Sequence, residues 1–162
     1  MKSSYMKGVA STALIVLFAL AVVATSGAAA KPQTLNLLEV STSFVAMGGL
    51  DENFNVPPKP GQGFVIGSDF YKWNGTKRGA HYGTLQVVCT FTKVTGNNAW
   101  QVCTGSLLLP GGDLSIAGVI RQSDLFNVPI VGGNGVYAGA RGYVHVKSIT
   151  GNKSADTIVI TG

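Results

Sequence analysis

Eight stretches rich in Val, Ile, Thr, Tyr and Phe, each bounded by Gly, Pro, Asn or Asp, leave this chain few folds to choose from. They fall at about 34–45, 63–73, 79–94, 98–109, 114–121, 127–131, 140–149 and 155–161, and runs of this composition and length read as strands. Helical periodicity is hard to find anywhere among them. Connections such as NGTK, TGNN, PGGD and TGNKS are too short for the crossovers of a dozen or more residues that parallel strands need. The chain is therefore all-β, and an eight-stranded antiparallel β-barrel is the economical solution, because closure removes exposed edges. Such a barrel is filled by side chains or holds one small ligand. Several strands alternate between two fairly apolar sets, which predicts a cavity inside and a covered face outside. A homo-oligomer, dimer or trimer, would supply the cover.

The first thirty residues stand apart from this pattern. Lys2 and Lys7 form a positive n-region, Ala13 to Ala24 is an uninterrupted apolar run, and Ala28 to Ala30 give a small-residue cleavage pattern. This predicts a secretory signal peptide over 1–30 and a β-barrel domain over 31–162. The rival reading, a retained anchor, is opposed by length, since a bilayer span needs about twenty apolar residues. Twelve Lys and Arg face seven Asp and Glu in the whole chain, and two of the lysines lie in the leader. The remaining basic excess is weak and scattered, which argues against a nucleic-acid partner.

Cys89 and Cys103 are the two cysteines, in a chain addressed to an oxidising compartment. The segment between them reads as a hairpin turning near Gly96. An odd-numbered loop, for example three residues centred on Gly96, sets the two cysteines opposite each other, which predicts a disulfide. The alternatives are a metal pair or a catalytic thiol. Without CxxC spacing or neighbouring histidines, no metal site is expected. His81 and His145 are far apart and read as ordinary strand residues.

The stretch IVGGNGVYAGARGYVHV (130–146) is the most glycine-rich part of the chain. A phosphate cradle must end at a helix N-terminus, whereas these glycines lead into YVHVKSI, a strand. They read as turn residues that need positive φ or close backbone approach, with Gly132, Gly133, Asn134 and Gly135 forming the turn. The longer string NVPIVGGNGVYAGARGYVHV resembles the late hairpin of the dirigent and allene oxide cyclase barrel families, approximately GGTG-x-[FY]-x-x-A-x-G. Gly132, Gly133, Gly135, Tyr137, Ala140 and Gly142 match it, and Asn134 replaces the usual Thr or Ser. Upstream, GGDLSIAGV and the LLEV of the first strand are similar to the corresponding segments of those families. The resemblance implies a calycin-type, eight-stranded antiparallel barrel, commonly oligomeric, with an apolar cavity and no cofactor.

Within those families the cyclases close a fatty-acid allene oxide into a cyclopentenone, and dirigent proteins orient phenoxy radicals or quinone methides made by a separate oxidase. The shared principle is that a greasy pocket folds a flexible substrate towards a reactive shape. Glu39, on the apolar first strand, aligns with the glutamate such cyclases use, and burial would raise its pKa and suit it to acid chemistry. The alternative is an outward or structurally paired carboxylate, and alternation alone does not decide the face. Ser41 replaces the cyclase asparagine and Leu85 the cyclase cysteine, which argues against plant-type allene oxide cyclase activity. Arg121 and Tyr143 are further catalytic candidates. Asp69, Tyr71 and Arg141 are candidates for ligand binding. For the arginine the blander reading is a surface residue, and for the tyrosines it is core packing. Asn74-Gly75-Thr76 and Asn152-Lys153-Ser154 are glycosylation sequons in turns.

The sequence therefore predicts a secreted, cofactor-free barrel that binds a small hydrophobic or phenolic molecule and guides its cyclisation or stereoselective coupling. A lipocalin-like carrier and a filled, purely structural barrel are the alternatives.

Overall fold

Alternating apolar residues and short turns produce strands that each pair antiparallel with the next. In order they are β1 (Gln33–Met47), β2 (Gly63–Trp73), β3 (Arg78–Thr95), β4 (Asn98–Leu109), β5 (Gly112–Arg121), β6 (Leu125–Gly133), β7 (Gly142–Ser148) and β8 (Lys153–Ile160). The last pairs back onto the first, so the sheet closes as a barrel in sequence order. The computed structural model describes residues 30–96 and 98–162. The expected signal peptide, Ala30 excepted, lies outside the described residues. No helix among the described residues is long and apolar enough to cross a membrane.

Between bulges, side chains on one parity of each strand point inward, and the barrel's two halves use them differently. Towards the end that carries the β4–β5 turn and the β6–β7 connection, Leu37, Leu114, Ile158 and Ile160 fill the interior. The connection folds over this end as a short 3-10 helix, Gly135–Tyr137, and drops the buried ring of Tyr137 onto the core. The Tyr137 hydroxyl donates to Pro110 O at 3.3 Å. Asn134 ties the plug to the start of β5: its Oδ1 accepts from Asp113 N at 2.9 Å and its Nδ2 donates to Asp113 Oδ2 at 2.8 Å. Towards the other end, where the β1–β2, β3–β4, β5–β6 and β7–β8 loops lie, the interior is hollow.

Two details depart from the sequence reading. Gly132 and Gly133 are strand residues of β6, paired with Ser115 and Leu114, and the turn begins only at Asn134. The glycines serve close approach more than turning. A Cβ on Gly135 (φ +57°) would overlap Gly111 O, and one on Gly142 (φ +136°) would overlap Val159 O of the neighbouring strand. The β3–β4 hairpin also differs, because Thr95 pairs with Asn98 and leaves two residues, not three, in the loop. Cys89 and Cys103 nevertheless stand opposite each other, because a bulge between Phe91 and Lys93 restores the register. They form the expected disulfide, with Cα atoms 4.1 Å apart, and closing a loop of this length contributes on the order of 3 kcal/mol in the chain-entropy model.

The β5–β6 ladder is the thinnest seam of the wall, with paired positions only at Leu114, Ser115 and Ile116. Further along, Pro129 has no N–H to offer and stands against Gly118, where a Cβ would lie 2.7 Å from its Cδ.

Candidate functional site

The hollow half holds a cavity of about 370 Å³. Its wall is mostly apolar, with Phe64, Ile66, Phe70, Phe126, Val128 and Val144 among the lining residues, as alternation on an inward face requires. The disulfide forms part of the same wall, and Gln122, Ser123 and Asp124 of the β5–β6 loop stand at its mouth. Four phenylalanines gather by the β1–β2 loop. Phe64 stacks on Phe44 at 5.4 Å and meets Phe91 edge-on at 5.8 Å, while Phe54 packs against both Phe44 and Phe64.

Polar chemistry is concentrated where β8, β1 and β2 meet. Glu39 of β1 faces the cavity with Phe70 beside it on β2 and Ser154 on β8. The Ser68 hydroxyl donates to Glu39 Oε1 at 2.6 Å. On the other side, Ser154 Oγ lies 3.1 Å from Glu39 Oε2 and 2.6 Å from Asp156 Oδ1, so its single proton serves one carboxylate at a time. Asp156 also lines the cavity and is only 2 % exposed. Burial raises its pKa well above the ordinary aspartate value of 3.8, and the negative charge of Glu39 raises it further. A hydrogen bond between the two carboxyl groups favours the protonated Asp156, whereas the Ser154 bond works the other way. Asp156 is thus held protonated beside Glu39 inside a largely apolar wall, an arrangement that suits general acid–base chemistry.

Across the barrel, Gln101 of β4 also faces the cavity. It is 7 % exposed, and its Oε1 has no hydrogen-bond partner among the described residues.

Of the catalytic and ligand-binding candidates singled out from the sequence, the structure brings Glu39 alone to this cavity, beside the disulfide Cys89–Cys103 in its wall. Arg121 follows the inward Ile120 and projects outward, exposed. Tyr143 is 42 % exposed on the outer face. Arg141 braces the plugged end, its Nη1 donating to Val131 O at 2.9 Å and Ala140 O at 2.8 Å. Asp69 and Tyr71 take the parity opposite to the inward Ser68 and Phe70 and form a surface cluster. There the Tyr71 hydroxyl donates to Asp69 at 3.4 Å, His81 approaches Asp69 at 3.5 Å, and the Arg78 guanidinium lies 4.0 Å from the Tyr71 ring centre. His145 pairs with Asn127 at 2.7 Å. No group of three metal-ligating side chains occurs among the described residues. The hairpin residues Gly132, Gly133, Asn134, Gly135, Tyr137, Ala140 and Gly142 belong to the plugged half and do not line the cavity.

Asp156, Ser154, Ser68 and Gln101 were not among the residues picked out from the sequence. For Asp156 a signal exists: Ser154, Asp156, Ile158 and Ile160 share one parity, and the two isoleucines mark it as the inward one. Gln101 carries a similar signal, since it shares parity with Cys103 and Leu107.

The chain matches no protein-family model and no curated protein sequence. Several solved structures share its fold. A structure titled pyocyanin demethylase superposes with a TM-score of 0.66 at 20 % identity, over 80 % of this chain and 100 % of that one. An exo-specific intermolecular Diels-Alderase gives 0.59 at 16 % identity, over 82 % of this chain and 99 % of the other. A pterocarpan synthase dirigent protein gives 0.57 at 19 % identity, over 80 % and 93 % of the respective chains. The chain thus has the eight-stranded antiparallel barrel of dirigent proteins and of barrel cyclases. Fold at this level of identity leaves function to be argued from the site.

Proposed function

We propose that this is a secreted barrel that takes a small hydrophobic or phenolic molecule into its cavity and guides its cyclisation or stereoselective coupling. The observation that carries the reading is the Glu39–Asp156 pair in the wall of an otherwise largely apolar, ligand-sized cavity. A carrier of neutral greasy ligands gains nothing from a buried and a half-buried carboxyl group side by side, which cost free energy to desolvate. A catalyst uses them. The apolar walls hold a flexible molecule in a reactive shape. The Asp156 proton makes a hydrogen bond to an oxygen that gains negative charge, and Glu39 stabilises positive charge developing on carbon. The neighbours titled Diels-Alderase and pterocarpan synthase dirigent protein support the class of reaction, and the disulfide supports an oxidising compartment.

The outer face supports self-association. Val45, Val65 and Val88 stand side by side on β1 to β3, and Val102 and Val119 on β4 and β5, with Val45 and Val119 more than half exposed. A second copy of the chain would cover them.

Native mass spectrometry of the protein purified from its own source tests the reading. We expect a bound small organic molecule and a dimer or trimer, and loss of the small molecule in a cavity-filling Val144→Trp variant. Bare chain in every preparation, or an adduct that survives Val144→Trp, would count against it.

A further inference from the structure

The cavity has a charge character opposite to that of the chain. The sequence has twelve Lys and Arg against seven Asp and Glu, yet the ionisable residues lining the cavity are Glu39, Asp124 and a protonated Asp156, and among the described residues no Lys, Arg or His joins them. Against a wall of low polarity the Glu39 charge is weakly screened, so it discriminates among ligands more than a surface carboxylate does. A ligand carboxylate would meet Glu39 as a like charge with no cation to offset it. An ammonium or protonated ring nitrogen would meet a preorganised acceptor, since Ser68 donates to one Glu39 oxygen and Ser154 lies 3.1 Å from the other.

Gln101 adds a second, independent requirement. A buried amide oxygen without a partner leaves its desolvation uncompensated. The Gln101 oxygen belongs to β4, on the wall across the barrel from the β8–β1 seam that carries the acid pair. A hydrogen-bond donor at the far end of a bound molecule would remove that cost.

We propose that the cavity selects a small apolar molecule that is an organic cation or weak base, with its nitrogen paired to Glu39 and an O–H or N–H donor meeting Gln101, and that it turns carboxylates away. The inference rests on reading the cavity as a ligand site, and adds the chemical class of the ligand.

Calorimetric titration with naphthylmethylamine, naphthalenemethanol and naphthoate tests it, because the three probes share a ring and differ in charge. With the wild-type chain the amine should bind about tenfold more tightly than the alcohol, as expected of a charge-assisted contact, and naphthoate should bind more weakly than both. In Glu39→Gln, which keeps the volume and a hydrogen-bonding end, amine and alcohol should converge while the alcohol keeps its wild-type affinity. Val144→Trp should abolish binding of all three, which places the probes in the cavity. A hydroxyl added to the far ring of the amine should tighten binding several-fold in the wild type and not in Gln101→Met. Naphthoate binding as tightly as the amine, or an amine preference that persists in Glu39→Gln, overturns the charge selection while leaving the cavity reading intact. Failure of all three probes to bind, or binding that survives Val144→Trp, overturns both. A hydroxyl that gains nothing in the wild type overturns the role of Gln101.

Discussion

The two halves of this barrel are made by the same strands with the same alternation, yet one is a solid and the other a container. In the plugged half, Leu37, Leu114 and Ile158 are fully buried and Tyr137 is driven in from the β6–β7 connection. In the hollow half the inward residues stop short of one another, and a disulfide joins neighbouring strands where packing across the barrel is absent. The glycine-rich hairpin by which the chain resembles a family belongs to the solid half. The acid pair belongs to the wall of the container. What identifies the fold and what would perform the chemistry are therefore separate, which is how one barrel can host several reactions.

The sharpest way to break this contrast is to truncate one aromatic residue in each half and compare stabilities by denaturant unfolding. Tyr137→Ala should cost about 3–5 kcal/mol, as for other large-to-small core changes. Phe126→Ala, on the cavity wall, should cost roughly half as much, because one side of that ring already lacks packing partners. Equal costs would mean that the container is as tightly packed as the plug.

A smaller effect sharpens the contrast within the container. Folding lifts the pKa of Asp156 above the unfolded aspartate value of 3.8, so above about pH 4 the folded chain keeps a proton that the unfolded chain has lost. Stability associated with this group is fully present at acid pH and falls as the pH rises towards the folded value. Asp156→Asn, which mimics the neutral form, should remove that dependence. In thermal melts between about pH 4 and pH 8, the variant should gain on the wild type as pH rises, reaching an advantage of a few degrees. A constant difference across the range would show that Asp156 is not held neutral.

The strands could be read from the sequence because β-branched runs and turn residues act locally, and their bounds moved by only a few residues. Gly132 and Gly133 could not, because a glycine that permits close strand packing looks the same in sequence as one that turns the chain. The site was harder still. Glu39 could be found on its own strand, but Ser68 and Ser154 reach it only through the β1–β2 and β1–β8 registers, and those depend on closure of the barrel. Parity gave two faces for β2 without saying which was inside, and for that reason Asp69 and Tyr71 drew attention that belonged to Ser68 and Phe70. The bulges near Ser41 and Phe91 further uncouple parity from face along a single strand.

The central claim is that the hollow half shapes a bound molecule while the acid pair promotes its reaction. Cyclisation of a panel of linear trienones, each carrying an enone tethered to a diene, measures both through the rate and the enantiomeric excess of the product. We expect the wild-type chain to accelerate at least one member and to give an excess of one enantiomer. Glu39→Gln should lose most of the acceleration while retaining part of the excess, and Val144→Trp should give racemic product at the buffer rate. Racemic product at the buffer rate from the wild type across the panel, or an excess unchanged by Val144→Trp, would contradict the account.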